Sequence, residues 1–184
     1  FKYTDRQSGK AETLDNVNMT VNLPSLDAPM SADGKVTWHY QVIELALNVA
    51  KPRALTAGGA TGVQADVTSE PVTLGFDGDI NMGDPLAVTG AVKLDVPSLR
   101  QLAEWAGQPL DIPGDGFGPF AIAGKLDMKG AKIAFNDATI RFDAINGTGM
   151  VAIDTGGKVP AIQARLDVEE LNINPYLPPD DQAG

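Results

Sequence analysis

The sequence predicts a mainly β protein: an elongated, curved antiparallel sheet, groove-like, with one short helix near 97–106. Three observations carry that expectation. Apolar residues recur at every second position through most of the 184 residues, the period of a strand with one buried face. Turn residues (Gly, Pro, Asp, Asn) separate these runs at short intervals, as in a meander. Only one stretch carries the punctuation of a helix. From Ala138 to Leu177 the pattern is clearest: Ile140 and Phe142, Val151 and Ile153, then Ile162, Ala164, Leu166 and Val168 alternate with polar partners. Such a segment is suited to holding an apolar ligand or packing a core, and carries no chemistry of its own.

Taken in order, Val17, Met19, Val21 and Leu23 form the first alternating strand, which stops at Pro24. A turn is expected at Ser31-Ala32-Asp33-Gly34. The next strand has its apolar parity on Val36, Trp38, Tyr40 and Val42, then on Ile43, Leu45, Leu47 and Val49. One extra residue flips the faces of a strand, so this switch reads as a bulge. Ala57-Gly58-Gly59-Ala60-Thr61-Gly62 reads as a loop: no lysine follows, and the next segment is a strand, unlike a phosphate cradle. Val63, Ala65 and Val67 then alternate, as do Val72, Leu74 and Phe76 with Ile80 and Met82. Gly83-Asp84-Pro85 turns the chain into Leu86, Val88, Val92, Leu94 and Val96.

Pro97 near the first helical position and Gly107 just past the end bracket a helix with Leu99, Leu102, Trp105 and Ala106 on one face. It is too short to stand alone and must lie on the sheet or plug an opening. A loop from Gln108 to Pro119 restarts the strands at Phe120. Leu94-Asp95-Val96-Pro97-Ser98-Leu99 and Leu166-Asp167-Val168-Glu169-Glu170-Leu171 share Leu-Asp-Val-x-x-Leu, each after an alternating strand, and Gly124-Lys125-Leu126-Asp127-Met128 echoes the strand half. Recurring units of this kind stack because one alone cannot bury its apolar face.

Composition narrows the function. Hydrophobic residues make up 43% of the chain, which is globular, and a formal net charge of −10 disfavours nucleic acid and adsorption to an anionic membrane surface. There is no cysteine, hence no thiolate site or disulfide framework. No run of about 18 apolar residues occurs, so no membrane-spanning helix is expected. The chain begins at Phe1 with neither initiator methionine nor signal peptide, and reads as a processed or excised segment of a longer protein.

Candidate chemistry is thin. His39 is the lone histidine and stands on the parity opposite Trp38 and Tyr40, pointing outward. No serine has the Gly-x-Ser-x-Gly context of a nucleophile. The run Asp77 to Val88 places oxygens at alternate positions but has Met82 where a calcium loop needs glycine and Val88 where it needs glutamate. Asp111 and Asp115 flank a glycine-rich connection from Gly114 to Pro119, and nothing makes them an acid–base pair. Asn18-Met19-Thr20 and Asn146-Gly147-Thr148 match the glycosylation sequon, which matters only in a eukaryotic secretory setting. No catalytic residue, metal ligand or cofactor is assigned.

The order Leu94-Asp95-Val96-Pro97-Ser98-Leu99-Arg100-Gln101-Leu102, Gly107-Gln108-Pro109-Leu110, Gly124-Lys125-Leu126, Phe142-Asp143-Ala144-Ile145-Asn146-Gly147-Thr148-Gly149, Pro160 to Asp167 and Leu171-Asn172-Ile173-Asn174-Pro175-Tyr176-Leu177 resembles the AsmA family of bacterial envelope proteins. The likeness covers about residues 85–178, and the N-terminal half only in strand character. It implies a periplasmic body held at the inner membrane of a Gram-negative bacterium by an N-terminal helix absent from this sequence. It also implies a role in outer-membrane biogenesis and a long β groove that conducts lipids.

Periodicity and resemblance together give the expectation of a non-catalytic, β-rich module over 1–184, with sub-units 1–84 and 85–178 and a flexible tail at 179–184. Its partners would be lipid acyl chains or envelope proteins, with membrane contact only through parts of the protein absent here. The groove candidates are Phe120, Ile122, Leu126, Ile133, Phe135, Ile140, Phe142, Val151 and Ile153, and the helix would cap the groove with Leu102 and Trp105. The competing expectation is a structural or protein-interaction β domain of the envelope whose core is fully packed and holds no lipid.

Overall fold

The structure, a computed structural model, describes residues 2–4, 11–112, 116–170, 172 and 176. Its strands follow the chain without a crossover: β1 (Lys2–Thr4), β2 (Ala11–Asn22), β3 (Met30–Trp38), β4 (Gln41–Val49), β5 (Ala60–Thr68), β6 (Thr73–Asn81), β7 (Ala87–Val96), β8 (Phe120–Lys129), β9 (Lys132–Phe142), β10 (Ile145–Asp154) and β11 (Ala161–Val168). Each pairs antiparallel with the next in one open, curved sheet, not closed into a barrel. Two short helices interrupt it, α1 (Pro52–Ala57) between β4 and β5 and α2 (Leu99–Trp105) between β7 and β8. They sit at opposite ends of the strands.

Two details of the N-terminal half differ from the sequence expectation. The parity switch at Val42/Ile43 is a hairpin, not a bulge: β3 and β4 are separate strands, with Trp38 opposite Gln41 across the turn His39-Tyr40. Both turn residues have positive φ, 44° and 65°, which a two-residue turn needs to match the right-handed twist of its strands. His39 and Tyr40 lack the usual Asn-Gly signature, so the turn is disguised. Ser31 to Gly34, expected as a turn, runs inside β3, and the reversal falls earlier, at 23–29.

The glycine-rich stretch 57–62 is likewise only briefly a loop. Ala57 ends α1, Gly58 caps it in the left-handed region (φ 73°), and Ala60 to Gly62 already belong to β5. Pro52 opens this second helix, which sequence reading passes over because it is six residues long and has no apolar period. Arg53 N–H donates to Leu26 O at 2.8 Å, and its guanidinium makes a two-pronged bond to Asp27 at 2.6 and 2.7 Å. That hydrogen bond holds the Asp27 carboxyl below the usual carboxylate range.

The glycines of the sheet show which way it bends. A Cβ added at Gly78 would lie 2.1 Å from Thr89 O and 2.5 Å from the Cα of Gly90, and one at Gly90 would lie 2.5 Å from Asp77 O. At Gly149 it would lie 2.0 Å from Arg165 O. Gly34 and Gly124 crowd their neighbouring strands in the same way. All five stand on the face that carries the apolar residues. Gly62 and Gly75, on the other face, have only ordinary contacts of 3.4 Å or more. On the inside of a bend a side chain is pressed toward the next strand, and on the outside it is splayed away. The sheet therefore curls toward its apolar face, and glycines near mid-strand make the crease.

Three register shifts sharpen the bend: in β2 between Asp15 and Asn18, at Ala123/Lys125 between β8 and β9, and at Gly149/Val151 between β9 and β10. The shift opposite Ala123/Lys125 explains why the apolar parity of β9 passes from Ile133 and Phe135 to Ile140 and Phe142. Asp137, within that irregularity, has φ 51°.

Candidate functional site

The inner face is built from residues directly opposite one another. One row runs Leu45, Val67, Leu74, Leu94, Ile122, Ile140, Gly147 and Val168 across eight strands. A second follows the crease through Val49, Val63, Gly78, Gly90, Leu126, Phe135, Val151 and Ala164. A third takes Ile80, Val88, Met128, Ile133, Ile153 and Ile162. From β3 to β8 every charged residue stands on the other face: Asp33, Lys35, Glu44, Asp66, Asp77, Asp79, Lys93, Asp95, Lys125, Asp127 and Lys129. The result is a trough about 38 Å long from β3 to β11, at about 4.8 Å per strand spacing.

All nine predicted groove residues lie on this inner face, and each is half-buried. Full burial is confined to small side chains. Among the described residues the buried apolar ones are Ala32, Val36, Val49, Pro52, Val63, Pro71, Val96 and Ala138, and Val96 is the largest side chain below 2% exposure. The large side chains of the face shield one another without being sealed. Toward β11 even this shielding ends: Ile162 is 68% exposed and Leu166 41%.

Helix α2 covers part of the face at one rim. Ser98 caps it, its hydroxyl accepting from Gln101 N–H at 3.3 Å, and Leu99 and Arg100 N–H groups donate to Gly118 O and Phe117 O at 2.8 and 3.1 Å. Free N–H groups of the first turn are thereby satisfied. At the other end Trp105 packs edge-on against Trp38 of β3 with ring centroids 4.6 Å apart, and its Nε1–H donates to Trp38 O at 3.2 Å. A helix that starts after β7 thus reaches the end of β3, four strands away in the sheet order. Leu102, the other predicted capping residue, is half-buried.

His39 is exposed as expected, but its ring is engaged. It stacks on Trp38 at 4.1 Å, and Nδ1 lies 2.7 Å from Trp105 O. The lone histidine belongs to the clasp of α2.

Beyond α2 the same rim carries an aromatic group that sequence reading did not assemble. Phe142 stacks on Tyr176 with centroids 5.4 Å apart, and Phe117 meets both edge-on at 5.6 and 5.7 Å. Asp143, in the left-handed region (φ 53°), ties the group together. Its carboxylate accepts from Phe117 N–H at 3.0 Å, Gly118 N–H at 2.7 Å and the Tyr176 hydroxyl. Burial, with the hydrogen bond to Asp143 and its negative charge, raises the Tyr176 pKa to about 12. Arg100 adds a brace, donating to Gly116 O and Ile112 O at 2.7 and 3.1 Å. The cue in the sequence was Phe142-Asp143, but nothing local links it to residues 26 positions before and 33 after.

The other face has its own relief. A hollow of about 820 Å³ lies over β7–β11, with Ala121 and Ala123 as floor and Lys93, Asp95, Arg141 and Asp167 among its walls. Arg141 reaches across Ala121 to Asp95 at 3.3 Å. Short residues among long charged ones make this depression.

Other sequence candidates do not converge. Asp77 accepts from Gln64 Nε2 at 3.1 Å on the outer face, and Asn81 Oδ1 accepts from Gly83 N–H at 3.0 Å. Among the described residues no group of acidic or histidine side chains is arranged to hold a metal ion, and no helix is long and apolar enough to cross a membrane. Asp115, Leu171 and the tail at 179–184 lie outside the described residues. No family model, curated protein or solved structure matches the chain.

Proposed function

We propose that this chain is a non-catalytic lipid-handling module of the bacterial envelope, an AsmA-like periplasmic part of an inner-membrane-anchored protein engaged in outer-membrane biogenesis. In this reading the inner face of its sheet receives phospholipid acyl chains. The observation that carries it is the continuity of that face: rows of apolar residues cross up to eight strands without a charge, and their large side chains are half-buried as far as β10. A soluble domain leaves so large an apolar surface accessible where something apolar is to be bound. Each methylene moved from water onto it stabilises the complex by about 0.8 kcal/mol. With no charge along the floor to fix a headgroup, a chain so held is free to slide from row to row. Trp38, Trp105 and Tyr176, with Phe117 and Phe142 beside Tyr176, place amphipathic rings at one rim, where apolar chains would meet water.

The test is gentle purification from a bacterial host followed by native mass spectrometry. Bound phospholipid that is lost on Ile140→Asp or Phe142→Asp, with circular dichroism unchanged, is the expected result. Protein that emerges lipid-free and also ignores fluorescent fatty acid overturns the proposal and favours an interaction domain.

A further inference from the structure

The five loops at the strand ends away from α2 form one rim, and backbone bonds zip each loop to the next. Arg53 N–H donates to Leu26 O at 2.8 Å, Met82 N–H to Gly59 O at 3.1 Å, Gly130 N–H to Leu86 O at 2.8 Å and Thr155 N–H to Ala131 O at 2.9 Å. Apolar and cationic loops alternate along this rim. Leu23 and Leu26 are exposed in the β2–β3 loop, Met82 and Leu86 in the β6–β7 loop, and Val159, 79% exposed, in the β10–β11 loop. Between them come Lys51 and Arg53 at α1 and Lys129 and Lys132 at the β8–β9 turn, with Lys158 next to Val159. Arg53 is paired with Asp27, but the four lysines are exposed and make no ion pair among the described residues. Lys129 and Lys132 stand directly opposite each other, a like-charge pairing that costs stability. Asp84 and Asp154 are the other anions of this rim. The loops of the opposite rim are acidic: among the described residues Glu70, Glu104, Asp111, Asp143, Glu169 and Glu170 stand against Arg100 as the sole lysine or arginine.

We infer that the basic rim docks on an anionic phospholipid bilayer. Exposed apolar side chains set among unpaired lysines suit the boundary of headgroups and acyl chains: the apolar tips enter it while the ammonium groups meet phosphate. The chain's net charge of −10 is not what such a surface meets. Strands of 9 residues such as β4 hold the acidic rim about 30 Å away, at about 3.4 Å per residue. That is well beyond the Debye length of about 8 Å at physiological ionic strength. The bilayer is therefore attracted by the near rim and scarcely repelled by the far one. The rim is also preorganised, because its loops are bonded to one another before any membrane is present. The inference rests on the rim's own residues and stands whether or not the trough binds lipid.

Flotation with vesicles of phosphatidylethanolamine containing one-third phosphatidylglycerol is the test. The protein is expected to float at low salt, less as salt rises, and far less with phosphatidylcholine alone. Lys129→Gln combined with Lys132→Gln should weaken binding about 25-fold, about fivefold for each lysine. Val159→Trp should add an emission that shifts to the blue on docking, while Trp38 and Trp105 of the parent, at the far rim, should not shift. Ile140→Asp, in the trough, should float as the parent does. Protein that stays behind at low salt overturns the inference, as does binding undiminished in the lysine variant. A blue shift of the parent's own tryptophans would put the wrong rim on the membrane and overturn it too. Flotation lost in Ile140→Asp, with circular dichroism native, would move the binding into the trough, and retention on heparin without flotation would make the occupant a soluble acidic polymer; either result overturns it.

Discussion

If the sheet is creased toward its apolar face, a single methyl group at the crease is a severe perturbation and one on the outer face is not. At Gly78 the added Cβ of alanine would stand 2.1 Å from Thr89 O and 2.5 Å from the Cα of Gly90. Carbon and oxygen need about 3.4 Å for ordinary contact, so β6 and β7 must part locally by about 1.3 Å, and both clashing groups are backbone. Overpacking of this kind costs about 1–3 kcal/mol. Stiffening of the unfolded chain offsets about 0.4–1 kcal/mol of that. A net loss of about 1.3 kcal/mol corresponds to a fall in Tm of about 3–5 °C for a chain of this size. Gly62→Ala is the control, because its Cβ would meet Ala50 Cβ at 3.7 Å with room to spare. It should leave Tm unchanged or raise it slightly. Thermal unfolding followed by circular dichroism decides the matter. Equal shifts for the two variants, or a Gly78→Ala protein as stable as the parent, would refute an inward crease.

Two further predictions concern the rim. Trp105→Ala removes the edge-on contact with Trp38 and the indole bond to Trp38 O, and for a half-buried tryptophan the expected destabilisation is about 2 kcal/mol. The near-ultraviolet circular dichroism of the Trp38–Trp105 pair should collapse with it, and an unaltered spectrum would mean that α2 is not clasped to β3. Tyrosinate absorbance should show one group titrating near pH 12, that of Tyr176. Its folded pKa lies above the unfolded value of about 10, so its contribution to stability is fully present below pH 10 and is lost as pH rises through about 12. Asp143→Asn should bring the titration part of the way back toward 10, because the carboxylate's charge goes while burial, the larger cause, remains. A titration indifferent to Asp143 would contradict the bond between them.

Most of the C-terminal half is legible in the sequence because its strands keep their period apart from the shift in β9, and its turns carry glycine or proline except Asp143-Ala144. Helix α2 is legible from its punctuation, Pro97 before it and Gly107 after it, although the cap is Ser98 and the helix begins at Leu99. The N-terminal half is harder. His39 and Tyr40 form their turn through backbone strain that tertiary contacts hold, the His39 stack on Trp38 and its bond to Trp105 O among them. No local propensity announces it. Gly34 reads as a turn residue but serves inside β3, where a side chain would strike Asn18 O at 2.5 Å. The nine candidate groove residues share a face because the parity rule is local, and the same rule extends the face to Leu45, Val67 and Leu74 in the half that sequence reading left unassigned. What periodicity alone does not convey is curvature, which depends on glycines meeting backbone across strands. The aromatic group around Asp143 has no local signature in the sequence because its members are joined only by the fold.

The most direct test of the central claim is a photo-crosslinkable fatty acid with its reactive group in mid-chain, bound to the native protein, irradiated and mapped by peptide mass spectrometry. Adducts on the inner rows, at Leu126, Ile140, Phe142 or Val151, are the predicted result. Adducts on Ala121, Thr139 or Arg141 of the opposite face, or none at all, would contradict an apolar trough that holds lipid.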